Sequence, residues 1–358
     1  MGGPARARVI TLFALVLALN GADTATVGAV APQLEHALHI GNAKIGLLSS
    51  VSLLVGAVFT IPVGLLVDRA RRMPLLAFSI ILWSLASFAS ALAGSYGGLL
   101  VTRLLLGAVA ATAGPAIASL TGDYFPASER GRIWAYILAG EVFGTAIGFI
   151  VSGSVASLID WRAAFIVLAI PGFFLARELW RTVPEPLRGG QSHLEPGAVD
   201  LDLAVAAASA RAEQAASSPP GEDEEAAPAA EHEAAREAAR RAGAVPDPDL
   251  VLTEDPSKIG LVDSVRYILK VPSNLMMILG SSLGYFYLGG LSTFALLFVK
   301  GHFHASQAEA ELILALLVGG ALVGTLVGGR VTDVLLRQGS LEARVWFPAI
   351  CYIAAALL

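Results

Sequence analysis

The chain has 358 residues, 55% of them hydrophobic and 15% charged, with a mean hydropathy of +0.68. A soluble domain carries roughly 25% charged residues, so this balance excludes an ordinary soluble domain and points to a membrane protein. The formal net charge of -5 gathers in one acidic internal segment while the short loops are basic, which leaves no footprint for nucleic acid, and the single cysteine, Cys351, excludes an internal disulfide framework or a cysteine metal cluster.

In chain order, Val9 to Ala31 is the first apolar run, about long enough to cross a hydrocarbon core of roughly 30 Å at 1.5 Å per residue. Arg6 and Arg8 precede it. The run is long, contains Asp23 and is followed by further spans, so it reads as an uncleaved helix rather than a secretory signal. Further spans are expected at about Lys44 to Val67, Met73 to Ala93, Gly98 to Thr121, Ile133 to Leu158 and Trp161 to Leu179, making a first half at residues 1–188. Arg6, Arg8, Arg69, Arg71, Arg72, Arg130, Arg132, Arg181 and Arg188 fall at one end of these spans, and only Lys44 and Arg162 at the other. The basic end, with the N-terminus, is expected to be cytoplasmic, in a multi-pass protein of the plasma (inner) membrane.

Residues 189–257 are rich in Ala, Glu, Asp, Pro and Arg, and large apolar residues nearly vanish. Such a segment buries too little surface to offset its ordering entropy, so a disordered cytoplasmic linker is expected, with a solvated helix at Glu231 to Arg241 and a partner-binding role as the alternative to a passive tether. At 258–270, Ile259, Leu261, Val262, Val265, Ile268 and Leu269 form one stripe at helical spacing, as in a helix lying along a membrane surface. Spans resume at Val271 to Val299 and Ala308 to Val331, and a shorter run follows from Val345 to Leu358.

The chain is internally duplicated. A shift of 265 positions carries Gly64, Asp68 and Arg72 onto Gly329, Asp333 and Arg337, and His39 onto His304. Leu358 then corresponds to Ala93, so the partial second half at 271–358 lacks counterparts of spans four to six. The expectation is a fragment of a twelve-span protein, with a nine-span chain as the alternative.

Two helical halves joined by a long linker, with Gly64-x-x-x-Asp68-Arg69-x-x-Arg72 after the second span and its echo after the eighth, resemble the major facilitator superfamily. Arg71 and Met73 depart from that loop motif. Arg103-x-x-x-Gly107 with Ala110 and Ala111 resembles the fourth helix of proton-linked members. Gly140, Gly144, Gly148 and Gly153 resemble the fifth helix of exporters, with Thr145 in place of a proline. Asn20-Gly-Ala-Asp23-Thr24 with Pro32-Gln33, then Gly122-Asp123-Tyr-Phe125-Pro126 before Glu129-Arg130, and Asp160-Trp161-Arg162 are similar to spinster-like transporters and their bacterial relatives. Thr24 stands where those carry arginine, and a glutamate near Ala110 is absent.

The resemblance implies an all-α integral membrane bundle of two pseudo-repeated halves, the second truncated after about its third helix. It also implies a secondary transporter that works by alternating access, coupled to protons, moving a small or amphipathic, even lipid-like, organic solute. A drug or organic-anion transporter of the same fold and a non-transporting sensor or scaffold are the alternatives. No cofactor beyond a proton gradient, no nucleic-acid partner and a monomer in the lipid bilayer are expected.

Physical reading of the charges adds to this. Asp23 lies about 21 Å along its helix from the basic end, and Arg103, running the other way, lies near the same depth. They can pair if the first and fourth spans share a cavity, as the family fold implies. Asp23 is then expected to take and release a proton and Arg103 to tune it or bind an anionic group, against the alternative of a static ion pair. Glu141 is a second protonation or substrate site or a neutral acid bonded between helices, Asn20 beside Asp23 is a further proton-coupling or substrate-binding candidate, and Tyr285 and Tyr287 are candidate cavity residues. Asp68 at its helix end, with Gly64, Arg69 and Arg72, is expected to form a gating latch with Asp123, Glu129 and Arg130, echoed by Gly329, Asp333 and Arg337. No nucleophile elbow, phosphate-cradling loop or metal-ligand spacing appears, so the chain does not read as an enzyme. His36, His39, His302 and His304 read as exposed helix ends more readily than as a zinc site.

Overall fold

A computed structural model describes residues 3–189, 194, 197–217, 260–337 and 343–357. The described elements are helices: α1 (Pro4–Ala29), α2 (Ala31–Leu38), α3 (Asn42–Arg69), α4 (Arg72–Ala91), α5 (Tyr96–Ala110), α6 (Ala113–Tyr124), α7 (Ala127–Leu158), α8 (Trp161–Thr182), α9 (Leu201–Ser217), α10 (Leu261–Lys270), α11 (Pro272–Phe303), α12 (Gln307–Arg337) and α13 (Ala343–Leu357). Seven stretches among the described residues are long and apolar enough to cross a membrane, six of them in the first half, with α5 and α6 forming one span. The break between α5 and α6 has a local cause. Pro115 has no N–H for the carbonyl of Ala111 and its ring crowds that carbonyl, so the helix yields at Ala111 and Thr112.

Local signals set the boundaries. α1 opens on Pro4, whose fixed φ suits a first turn. Ser95 caps α5 by accepting from the Gly98 N–H at 3.2 Å, and Asp160 caps α8 by accepting from the Arg162 N–H at 2.8 Å. The duplication has a backbone echo: His39 and His304, one offset apart, both take φ 51°, and they are the non-glycine residues with positive φ among those described.

The chain divides into two units. The first holds Met1–Glu213 with Gly290–Val331, so the far part of α11 and most of α12 group with the first half rather than with the rest of the second. Its core is built on close helix approach. A Cβ on Gly140, Gly144 or Gly148 of α7 would lie 2.4, 1.9 or 2.5 Å from backbone atoms of Ala14, Ala18 or Ala22 of α1. The two helices thus meet backbone to backbone along successive turns, which only small residues allow. α3 and α5 meet similarly, a Gly107 Cβ falling 2.3 Å from the Ser52 carbonyl. In the second unit, Gly284 leaves room for the Tyr352 hydroxyl, which a Cβ would approach to 2.9 Å. On α10 the side chains of Val262, Val265, Ile268 and Leu269 are exposed.

The acidic segment is not uniform. Its start is ordered: Leu201, Val205 and Ala208 of α9 are buried, and Leu201 and Val205 join a core cluster with Val9, Leu120, Tyr124 and Leu179. The sequence reading missed this because three apolar residues among alanines are too few to signal a packed face. The helix expected at Glu231 to Arg241 lies outside the described residues.

Candidate functional site: a buried ion pair at a polar cavity

Asp23 sits on α1 and Arg103 on α5, and the fold brings them together. The Arg103 Nη1 donates to Asp23 Oδ1 at 3.1 Å and lies 3.4 Å from Oδ2. Both are buried, at 5% and 1% exposure. The Arg103 Nη2 donates to Ser90 Oγ at 2.7 Å, and the guanidinium carbon lies 4.9 Å from the centre of the Phe165 ring, a cation–π arrangement. Ser52 donates to the Arg103 carbonyl at 3.0 Å, fixing α3 against α5. The Arg103 Nε has no partner among the described residues. The guanidinium is thus oriented from three sides while its Nε–H stays unpartnered among the described residues.

The pair lines a cavity of about 250 Å³ whose wall also carries Asn20, Ser49, Ser52, Thr60, Ser292 and Thr293. Hydroxyls, an amide and one ion pair among apolar side chains make a site that can orient a small polar solute. Sequence reasoning found Asp23, Arg103 and Asn20 but missed the hydroxyls. A helical Ser or Thr can satisfy itself on its own backbone, as Thr60 does on the Gly56 carbonyl at 2.8 Å, so such residues carry no readable signal of lining a cavity.

The other predicted residues fall elsewhere. Glu141 is half-buried on α7 and its carboxylate has no partner among the described residues; its backbone carbonyl packs against Gly21, and it does not line the cavity. Tyr285 and Tyr287 belong to the second unit and are both 69% exposed. Asp68 and Arg69 are exposed and make no hydrogen bond or ion pair among the described residues, and Gly64 has open space around it.

Arg72, by contrast, is buried in a cluster at the basic end. It pairs with Asp123, with Glu185 at 2.9 Å, with Ser119 Oγ at 3.0 Å and with the Pro186 carbonyl at 2.9 Å. Arg6 pairs with Glu129, and Arg130 donates to the Phe125 and Gly122 carbonyls at 2.9 and 2.7 Å. Of the residues expected in the latch, Arg72, Asp123, Glu129 and Arg130 therefore make ties within the first half, with Arg6 and Glu185 added, whereas Gly64, Asp68 and Arg69 do not join them. Gly329, Asp333 and Arg337 lie on α12, and their side chains fall outside the described residues.

A model of the Major Facilitator Superfamily matches residues 13–358. The chain belongs to that superfamily. A 4-hydroxybenzoate transporter of Pseudomonas aeruginosa is 31% identical to this facilitator chain over 186 residues, 52% of the chain and 41% of that protein. A probable galactarate/D-glucarate transporter of Bacillus subtilis is 27% identical over 184 residues, 50% of the chain and 40% of that protein. Human protein spinster homolog 1 is 29% identical over 186 residues, 51% of the chain and 35% of that protein. Each match thus covers about two fifths or less of the relative's length. The crystal structure of a bacterial homologue of the human lysosomal transporter spinster, inward-facing and unoccupied, shares the fold with a TM-score of 0.65 at 21% identity, over 94% of this chain and 64% of that one. The chain is a multi-pass membrane protein of the facilitator fold, related to spinster-like proteins.

Proposed function

We propose that this facilitator chain takes part in proton-coupled, alternating-access transport of a small organic anion across the inner membrane, with its basic end cytoplasmic. The observation that carries the reading is the Asp23–Arg103 pair, buried against a polar cavity with the guanidinium Nε–H unpartnered among the described residues. A substrate carboxylate arriving at Arg103 competes with Asp23 for the same cation. Asp23, released from its partner in a poorly solvated site, is then stabilised by taking a proton, so substrate binding and proton binding are linked through one arginine. The names of the relatives, transporters of hydroxybenzoate and of sugar diacids, agree with a carboxylate cargo. The hydroxyl-rich wall suits a small hydroxylated acid better than a lipid-like solute. The exposed, unpaired Asp68 and Arg69 at the basic end fit a cytoplasmic latch that is released.

The test is uptake of labelled 4-hydroxybenzoate and D-glucarate by protein in vesicles under an imposed proton gradient. Uptake of at least one acid is expected. In Asp23→Asn the gradient-driven component should fall about tenfold or more, the factor supplied by losing one charged hydrogen bond of roughly 1.5 kcal/mol, while counterflow without a gradient persists. Undiminished gradient-driven uptake in that variant would remove Asp23 from coupling, and no uptake of any organic acid would favour a sensor or scaffold.

A further inference from the structure

A further buried carboxylate lies outside the cavity lining. Glu311, in the first turns of α12, is 8% exposed. Its Oε2 accepts from Ser154 Oγ of α7 at 3.2 Å, and its Oε1 accepts from Gln307 Nε2 at 2.8 Å. Gln307 in turn accepts from Lys300 Nζ of α11 at 2.9 Å. The carboxylate occupies a socket that exists because residue 153 is glycine: a Cβ there would stand 2.3 Å from Glu311 Oε1 and 3.2 Å from Gln307 Nε2. This contact joins the C-terminal end of α7 to the start of α12, so it lies at the end opposite the arginine-rich loops.

The surroundings favour a contact that can part. Ala25, Ala29, Phe149, Ala295, Leu296, Val299, Ala310 and Leu314 form the adjoining apolar cluster between α1, α7, α11 and α12, and a Gly28 Cβ would lie 2.2 Å from the Ser292 carbonyl. The four alanines of this cluster and Gly28 let the backbones approach closely, beside the larger Phe149, Leu296, Val299 and Leu314. A buried carboxylate is costly unless hydrogen-bonded. Ser154 and Gln307 satisfy it when the faces meet, and water satisfies it when they separate. Neither state orphans the charge.

We propose that Glu311, seated against Gly153 and Ser154 and braced by Gln307 and Lys300, is the latch that holds the end opposite the arginine-rich loops closed. The proposal rests on the alternating-access reading and assigns that closure to one side chain. It is tested by labelling a cavity-wall reporter, Ala57→Cys, in a Cys351→Ser background, with a membrane-impermeant maleimide applied separately to each face of oriented vesicles. Glu311→Ala should raise labelling from the face opposite the basic loops about tenfold, the population shift expected from losing one charged hydrogen bond. Gly153→Val should do the same, whereas Glu311→Gln, which can still bond Ser154, should stay near the parent. Ser154→Ala, the mildest change, serves if Glu311→Ala does not fold. Labelling within twofold of the parent in every folded variant overturns the latch, even where the parent takes up organic acid. A labelling response without uptake keeps the latch and overturns transport of those acids.

Discussion

At the residue scale, Arg72 and Arg69 separate two roles within one loop motif. They are three positions apart and equally charged, yet Arg72 is 1% exposed and spends its guanidinium on Asp123, Glu185, Ser119 and a carbonyl, while Arg69 is exposed. Removing one partner of a buried ion pair leaves the other charge uncompensated, at a cost of about 3–5 kcal/mol. Arg72→Ala should therefore lower the thermal unfolding temperature of detergent-solubilised protein sharply, while Arg69→Ala should change stability by less than about 0.5 kcal/mol. Equal effects would mean that the buried cluster is not what fixes this loop. The motif spacing was legible in the sequence; which arginine turns inward was not, because both lie in one basic run and the decision rests on where Asp123 and Glu185 come to lie.

At the element scale, glycines with the same helical context differ in what faces them. A Cβ on Gly144 would sit 1.9 Å from the Ala18 carbonyl, a backbone atom that cannot rotate away, whereas a Cβ on Gly64 meets nothing within 4 Å. Gly144→Ala should push α1 and α7 apart and destabilise the bundle by about 1–3 kcal/mol or more. Gly64→Ala should be neutral or gain up to about 1 kcal/mol from helix propensity. Unfolding midpoints of the two variants, measured side by side, check this, and a destabilised Gly64→Ala would mean that its open surroundings are filled in the membrane. From the sequence, the small residues of Gly107 to Ala118 and Gly140 to Gly153 suggest close approach of spans four and five, whereas Gly140, Gly144 and Gly148 meet α1 and Gly107 meets α3. The partners Ala14, Ala18 and Ala22 could not be read, because alanine gives no signal of which helix it meets.

At the scale of the whole molecule, the start of the acidic segment belongs to the first half. Leu194 donates its N–H to the Tyr124 carbonyl at 2.8 Å, Arg6 donates to the Leu194 carbonyl at 2.9 Å, and the Ala5 N–H donates to the Ala198 carbonyl at 3.1 Å. The buried face of α9 follows. Leu201→Asp with Val205→Asp would place two charges in that core, so α9 should detach. Limited proteolysis is expected to cut near Arg211 in the double variant and to spare the parent, and equal cleavage would show that α9 is not held. The sequence by itself determined the helical membrane class, the places of the spans, the duplication and the pairing depth of Asp23 and Arg103, because hydropathy, a repeated spacing and the fixed rise of a helix are local properties. Only the tertiary structure decided that Arg72 binds Glu185, that hydroxyls of α3 and α11 share the cavity with the ion pair, and that Glu311 seats against Gly153. Arg72 and Glu185 are 113 positions apart and Ser154 and Glu311 are 157 apart, and a short polar side chain that its own helix could satisfy gives no sign in the sequence of the neighbour it will meet.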